Sequence, residues 1–144
     1  MALTLTGLVE RSLDISPDAA MTQRIERIED FVCLEGWMKP DQVWSGFCMD
    51  DLVRLAGPTH DARYVEVASG DFIAVLPMEQ LPHALLADTQ NGQSLGEGRW
   101  RLVVSGGPCY HSVKGVDRIT VVDHNRGETA RTISLTRIGK ADEI

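Results

Sequence analysis

Cys33-Leu34-Glu35-Gly36-Trp37 places one thiol at the end of an apolar run, where the chain opens into a turn. Once ionised, a cysteine sulfur is a soft metal ligand, and ionisation needs a cation or a metal beside it. Read on its own, a cysteine after Phe31-Val32 suits a buried small hydrophobe as well as a ligand, and Glu35 would oppose ionisation. Far downstream, Arg101-Leu102-Val103-Val104 leads through Ser105-Gly106-Gly107-Pro108-Cys109-Tyr110-His111 into Ser112-Val113-Lys114. A guanidinium grips phosphate with paired donors, an ammonium adds point charge, and successive backbone amides in a turn form an anion nest. That set suits a phosphorylated, anionic ligand; the plainer alternative is two solvated charges at strand ends. Ser69, in Ala68-Ser69-Gly70-Asp71, reads on its own as a turn residue bonded to its own backbone.

Mostly strands must position these groups. Leu3-Thr4-Leu5-Thr6-Gly7-Leu8-Val9 alternates apolar and polar residues, the period of a half-buried strand. Residues 25–33 fit a helical stripe through Ile25, Ile28 and Val32 or a strand feeding a turn; a strand over 27–34 is the reading adopted. Met49-Asp50-Asp51-Leu52-Val53-Arg54-Leu55-Ala56 reads as a short helix, acidic in its first turn and ended by Gly57-Pro58. Strands are expected over 63–68 and 72–76, on either side of Ser69-Gly70-Asp71. A hairpin is expected around Asn91-Gly92, since both positions tolerate positive φ. Further strands are expected over 100–104 and 116–123, and a last one over 132–135 before a frayed acidic end. The sum is an α+β, mainly β domain with mixed sheets and few short helices.

Bulk properties narrow the function. The 144 residues suit one ordinary domain, 1–144, with 124–144 a more polar C-terminal extension. Hydrophobic residues at 43% and charged residues at 24% give a globular balance. A net charge of −7 argues against a nucleic-acid partner, which needs a basic face. No stretch reaches the roughly 18–20 apolar residues that span a bilayer. The N-terminus has no basic region ahead of an apolar core, so a cytoplasmic location is expected. Cys33, Cys48 and Cys109 form no Cys-x-x-Cys pair, which disfavours a disulfide framework or a zinc site. Cys109-Tyr110-His111 supplies at most two metal ligands, and His111 could add a donor beside the glycine turn. His60, His83 and His124 suggest no shared site, and Trp37, Trp44 and Trp100 read as core or rim residues. No P-loop, nucleophile elbow or dinucleotide fingerprint is present.

Taken together, these stretches resemble the molybdopterin-binding domain of the sulfite oxidase family, including its methionine-sulfoxide-reductase branch. In that family a cysteine in a Cys-Val-Glu-Gly/Ala-Trp-like stretch supplies the thiolate that binds molybdenum. Here the stretch is Cys33-Leu34-Glu35-Gly36-Trp37, so the resemblance makes Cys33 the metal ligand and the catalytic residue. Members also show an Arg-Leu-Val-Val strand, a turn and a Ser/Gly-Val/Ile-Lys segment that hold the pterin and its phosphate. The resemblance therefore implies that Arg101, Ser112, Val113 (through its backbone) and Lys114 bind cofactor, with Ser69 at a Ser/Thr position near the pterin. Leu5-Thr6-Gly7-Leu8-Val9-Glu10, Asn91-Gly92-Gln93-Ser94-Leu95 and Asp117-Arg118-Ile119-Thr120-Val121 extend the likeness over most of the chain. It implies a sulfite-oxidase-type fold, molybdopterin as cofactor, and two-electron chemistry, often oxygen-atom transfer. A small-molecule substrate and an electron-transfer partner follow from it.

The chain also departs from the pattern. It is expected to lack the segment that members carry ahead of the opening strand, and their dimerisation and haem domains. Gly96 stands where members have a cofactor-contacting Asn or His, and Val32 where they often have Arg. Each lost contact of this kind costs about 1–3 kcal/mol. These departures motivate an alternative: a non-catalytic domain of the same fold that lost the cofactor and binds a small anion or a protein partner.

Overall fold

The computed structural model describes residues 3–16, 22–32, 38–96, 99–105, 112–130 and 133. Cys33 to Trp37 and residues 106–111 lie outside this set. The elements run β1 (Leu3–Gly7), β2 (Leu13–Ile15), β3 (Arg24–Val32), β4 (Met38–Cys48) and α1 (Met49–Ala56). There follow β5 (Tyr64–Ser69), β6 (Phe72–Pro77), a 3-10 turn (Met78–His83), β7 (Ala84–Gln90), β8 (Gln93–Ser94), β9 (Arg101–Val104) and β10 (Arg118–Val122).

Two sheets result. The first has the order β2-β1-β10-β5-β6 and is mixed, because β1 runs parallel to β10 while the other pairs are antiparallel. The second is antiparallel, in the order β3-β4-β7, with β8 and β9 both on the far side of β7. The α+β, mainly β expectation is borne out.

Alternation decides which faces are buried. Leu3, Leu5, Val65, Val67, Ile119 and Val121 line the inner face of the first sheet, and Phe47, Leu86 and Leu102 that of the second. Helix α1 joins the same core through Met49, Leu52, Val53 and Ala56, the i, i+3, i+4, i+7 stripe of an amphipathic helix. It stops at Gly57, whose left-handed φ of 75° lets its N–H reach the Val53 and Arg54 carbonyls, both at 3.1 Å. The side chain of Arg11 caps the same end on the Leu55 carbonyl at 2.8 Å.

A second, smaller core lies on the other face of the second sheet: Trp44, Leu85, Ala87 and Val103, with Ile25 and Leu95 against them. It fills a curl in that sheet, and Arg101 faces it because Arg101 shares the parity of Val103.

Several elements differ from the sequence expectations. The 11-residue β4 and the short β2 were not anticipated, and the strand expected over 27–34 begins at Arg24. The expected last strand over 132–135 is corrected at its one described residue, because Ile133 is helical and its N–H reaches the Thr129 carbonyl at 2.9 Å. The edge that such a strand would have joined is already taken. Thr129 exchanges backbone and side-chain bonds with Ile73 of β6, and Glu128 accepts the Val75 N–H at 2.8 Å.

Candidate functional site

Strand β9 and residues 112–116 run side by side. Leu102 N–H donates to the Val113 carbonyl at 2.9 Å, and Val116 N–H to the Trp100 carbonyl at 3.0 Å. Between these two bonds Arg101 and Lys114 form an antiparallel bridge, so their side chains share one face. The sequence therefore brings together two cations thirteen positions apart, and it does so by register rather than by attraction.

The two cations sit differently. Arg101 is half-buried, its guanidinium carbon 5.7 Å from the ring centroid of Trp44, whereas Lys114 is exposed. Trp44 is only 1% exposed and belongs to the second core, so the guanidinium plane has a fixed aromatic neighbour. Ser112, two residues before Lys114, is half-buried. Val113 is fully buried and its carbonyl is committed to β9, so its N–H is the group through which it could meet a ligand.

Ser69 reaches the same neighbourhood from the first sheet. Asp117 N–H donates to the Ala68 carbonyl at 2.8 Å, and the Asp117 carboxylate accepts the Gly70 N–H at 2.9 Å. These bonds dock the β5–β6 turn onto the strand following Lys114. Gly115, at φ +68°, lies so close that a Cβ there would be 3.6 Å from Ser69 Oγ. Register thus brings Arg101 opposite Lys114, beside Val113, while Ser69 lies against Gly115, the next residue along the same segment. Cys33, the expected metal ligand, lies outside the described residues, as do Cys109 and His111. His60 and His124 are exposed beside Asp61 and Asp123, away from the Arg101–Lys114 bridge in sequence and pairing.

The structure adds local roles that the sequence did not assign. Trp44 backs Arg101, and its position deep in β4 gave no sign of that role. Gly115 takes a left-handed φ of +68° beside the Ser69 turn, a conformation that favours glycine; a glycine after a Ser-x-Lys segment was the available signal. Gly96 has φ +120°, and a Cβ there would lie 3.0 Å from Arg99 Cδ, so the position favours glycine. Among the described residues no helix is long and apolar enough to cross a membrane.

Comparison with known proteins identifies the family and the fold. Residues 1–130 match the family model described as an oxidoreductase molybdopterin binding domain. An uncharacterized oxidoreductase of Bacillus subtilis (strain 168), YuiH, is 32% identical over 97 residues, covering 65% of this chain and 49% of its own length. The crystal structure of the sulfane dehydrogenase SoxCD from Paracoccus pantotrophus superposes with a TM-score of 0.74 at 22% identity. That alignment covers 85% of this chain and 38% of the solved one, and it speaks for the fold alone. The chain thus spans about half the length of its curated relative and less than half of the solved chain. With the family model matching nine-tenths of its residues, the chain belongs to the oxidoreductase molybdopterin-binding domain family.

Proposed function

We propose that this domain holds a molybdenum–molybdopterin cofactor for two-electron redox chemistry on a small molecule. Cys33 supplies the protein thiolate to the metal, and Arg101, Ser112, Val113 and Lys114 hold the pterin phosphate end, with Ser69 beside it. The observation that carries the reading is the in-register Arg101–Lys114 pair on one face, next to the Ser69 turn. The donor set fits the group: a planar guanidinium with paired donors, a mobile ammonium and two hydroxyls complement a phosphate. In a chain of net charge −7, two cations placed opposite each other at one bridge concentrate positive charge suited to an anion. The Asp117 carboxylate accepts the Gly70 N–H.

When bound, the cofactor supplies two-electron oxidation–reduction, typically oxygen-atom transfer, and draws on a separate electron-transfer partner. This chain's residues contribute elsewhere. Arg101, braced on Trp44, fixes the orientation of the anionic end. Lys114, exposed at the rim, adds charge that salt screens more readily. A cytoplasmic setting belongs to the same proposal. The test is metal and pterin analysis of protein made in a cofactor-competent host. Wild type is expected to contain molybdenum, Cys33→Ala to lose it, and an Arg101→Ala/Lys114→Ala pair to lose the pterin. Molybdenum absent from wild type, or equal in Cys33→Ala, overturns the assignment.

One position favours the second reading, a cofactor-free relative that binds a smaller anion or a protein. Gly96, with its positive φ and Arg99 packed over it, offers no side chain to a cofactor. Protein that binds inorganic phosphate but no molybdenum would select that reading.

A further inference from the structure

Strands β3 and β9 are joined by polar contacts that the site above does not use. Ser105, the residue after β9, donates its hydroxyl to Glu29 Oε1. Arg27, two residues earlier on the same face of β3, donates through Nη2 to the Pro82 carbonyl at 2.7 Å and has Nη1 3.5 Å from Ser105 Oγ. Ser105 is itself anchored, its N–H donating to the His83 carbonyl at 2.8 Å. In the sheet, β4 and β7 separate β3 from β9, so these contacts bridge the curl that the Trp44 core fills. Directly beyond Glu29 the pairing of β3 with β4 shifts register, between Glu29 and Phe31.

The chain positions give the contact a meaning. In sequence Cys33 is the fourth residue after Glu29, and Ser105 precedes the stretch that leads to Ser112, Val113 and Lys114. We infer that Glu29, Ser105 and Arg27 form a clasp of positioning residues that fixes the end of β3, the strand that leads in sequence to Cys33, relative to Arg101 and Lys114. The inference rests on the reading of Cys33 as metal ligand given above. Among the described residues β3 is an edge strand paired with β4, and a two-stranded arm is marginally stable unless something else holds it. A ligand atom and an anion anchor must be held to within about 0.5 Å to share one rigid group. A carboxylate-accepted bond, with Arg27 beside it to balance the charge, is the strong form of such a tether.

The test compares wild type with Ser105→Ala, Glu29→Ala and the conservative Ser105→Thr, all as the full chain. In unliganded protein, amide hydrogen exchange at Phe31, Val32 and Met38 is expected to quicken about fivefold in both alanine variants, the population change one hydrogen bond carries. Exchange in the β5–β6 hairpin stays unchanged, and Ser105→Thr restores the wild-type rate. In protein loaded by a cofactor-competent host, Ser105→Ala is expected to keep its pterin while X-ray absorption shows the protein sulfur lost from molybdenum. Unchanged exchange at the arm overturns the clasp. So does loss of pterin and sulfur together with a lowered melting temperature, which would mark a merely structural role. Wild type without molybdenum would instead overturn the ligand reading, and the exchange comparison would then decide the clasp alone.

Discussion

Arg101 and Lys114 carry the same charge but are not equivalent. Lys114 is exposed, whereas Arg101 is half-buried with its guanidinium against the ring of Trp44. Planarity therefore matters at one position and only charge at the other. Arg101→Lys keeps the charge yet loses the paired donors and the aromatic backing. It should weaken binding of inorganic pyrophosphate about tenfold, near one charge-assisted bond of ~1.5 kcal/mol. Lys114→Arg should leave binding within about twofold. Calorimetric titration of both variants checks this, and equal losses would refute the distinction. The pair itself was legible in the sequence because two cations bracket a glycine turn and the apolar residues between them set the strand. The Glu29–Ser105 contact was not. Its partners lie 76 positions apart, and a single hydrogen bond across a curled sheet leaves no periodic trace.

At the scale of elements, the legible parts were those whose pattern and punctuation agree. Helix α1 shows an apolar stripe, acidic first turn and terminal glycine, and its bounds match the sequence expectation. The β7–β8 hairpin turns on Asn91 and Gly92, both at positive φ. Strand β4 hid because its sequence contains Pro40, Asp41 and Gly46, residues that ordinarily mark turns. Two of them mark local irregularities. Asp41 takes a φ of 52°, and Gly46 sits at the register shift with β7. A Cβ on Gly46 would lie 2.0 Å from the Leu86 oxygen and 2.7 Å from the Ala87 Cα, both backbone atoms that cannot step aside alone. Gly46→Ala should therefore cost about 3 kcal/mol, at the upper end of overpacking. Gly92→Ala, with nothing within 4 Å but a φ of 80°, should cost only about 1–2 kcal/mol. Urea denaturation of the two variants separates them; equal midpoints would mean that β4 and β7 can part without loss. Because β4 also carries Trp44, loosening it should reach Arg101 as well.

For the whole molecule, the question is what closes the first sheet. Its inner face is buried by the shared core, but β5 is buried on both faces, and Glu66 on its outer face is only 8% exposed. A buried carboxylate needs a partner, and Arg126 provides one in a two-pronged pair at 2.8 and 3.1 Å. That bond and that charge push the Arg126 guanidinium still further above its ordinary pKa. Two residues on, Glu128 and Thr129 take the N–H groups of Val75 and Ile73, covering the open edge of β6, and Ala130 is fully buried. The polar composition of 124–144 gave no hint of this, because a strap works through backbone pairing and one ion pair rather than through an apolar pattern. An uncovered edge strand is a template for pairing with other chains. A chain ending at Val122 would thus lose both the partner of Glu66 and the cover of β6. It should melt well below the full chain and form larger species on size exclusion, while a chain ending at residue 136 stays monodisperse. Glu66→Gln in the shortened chain tests the division of labour, since it removes the stranded charge but not the open edge. Recovery of melting temperature without recovery of monodispersity is the expected outcome, and recovery of both would assign the whole effect to the ion pair.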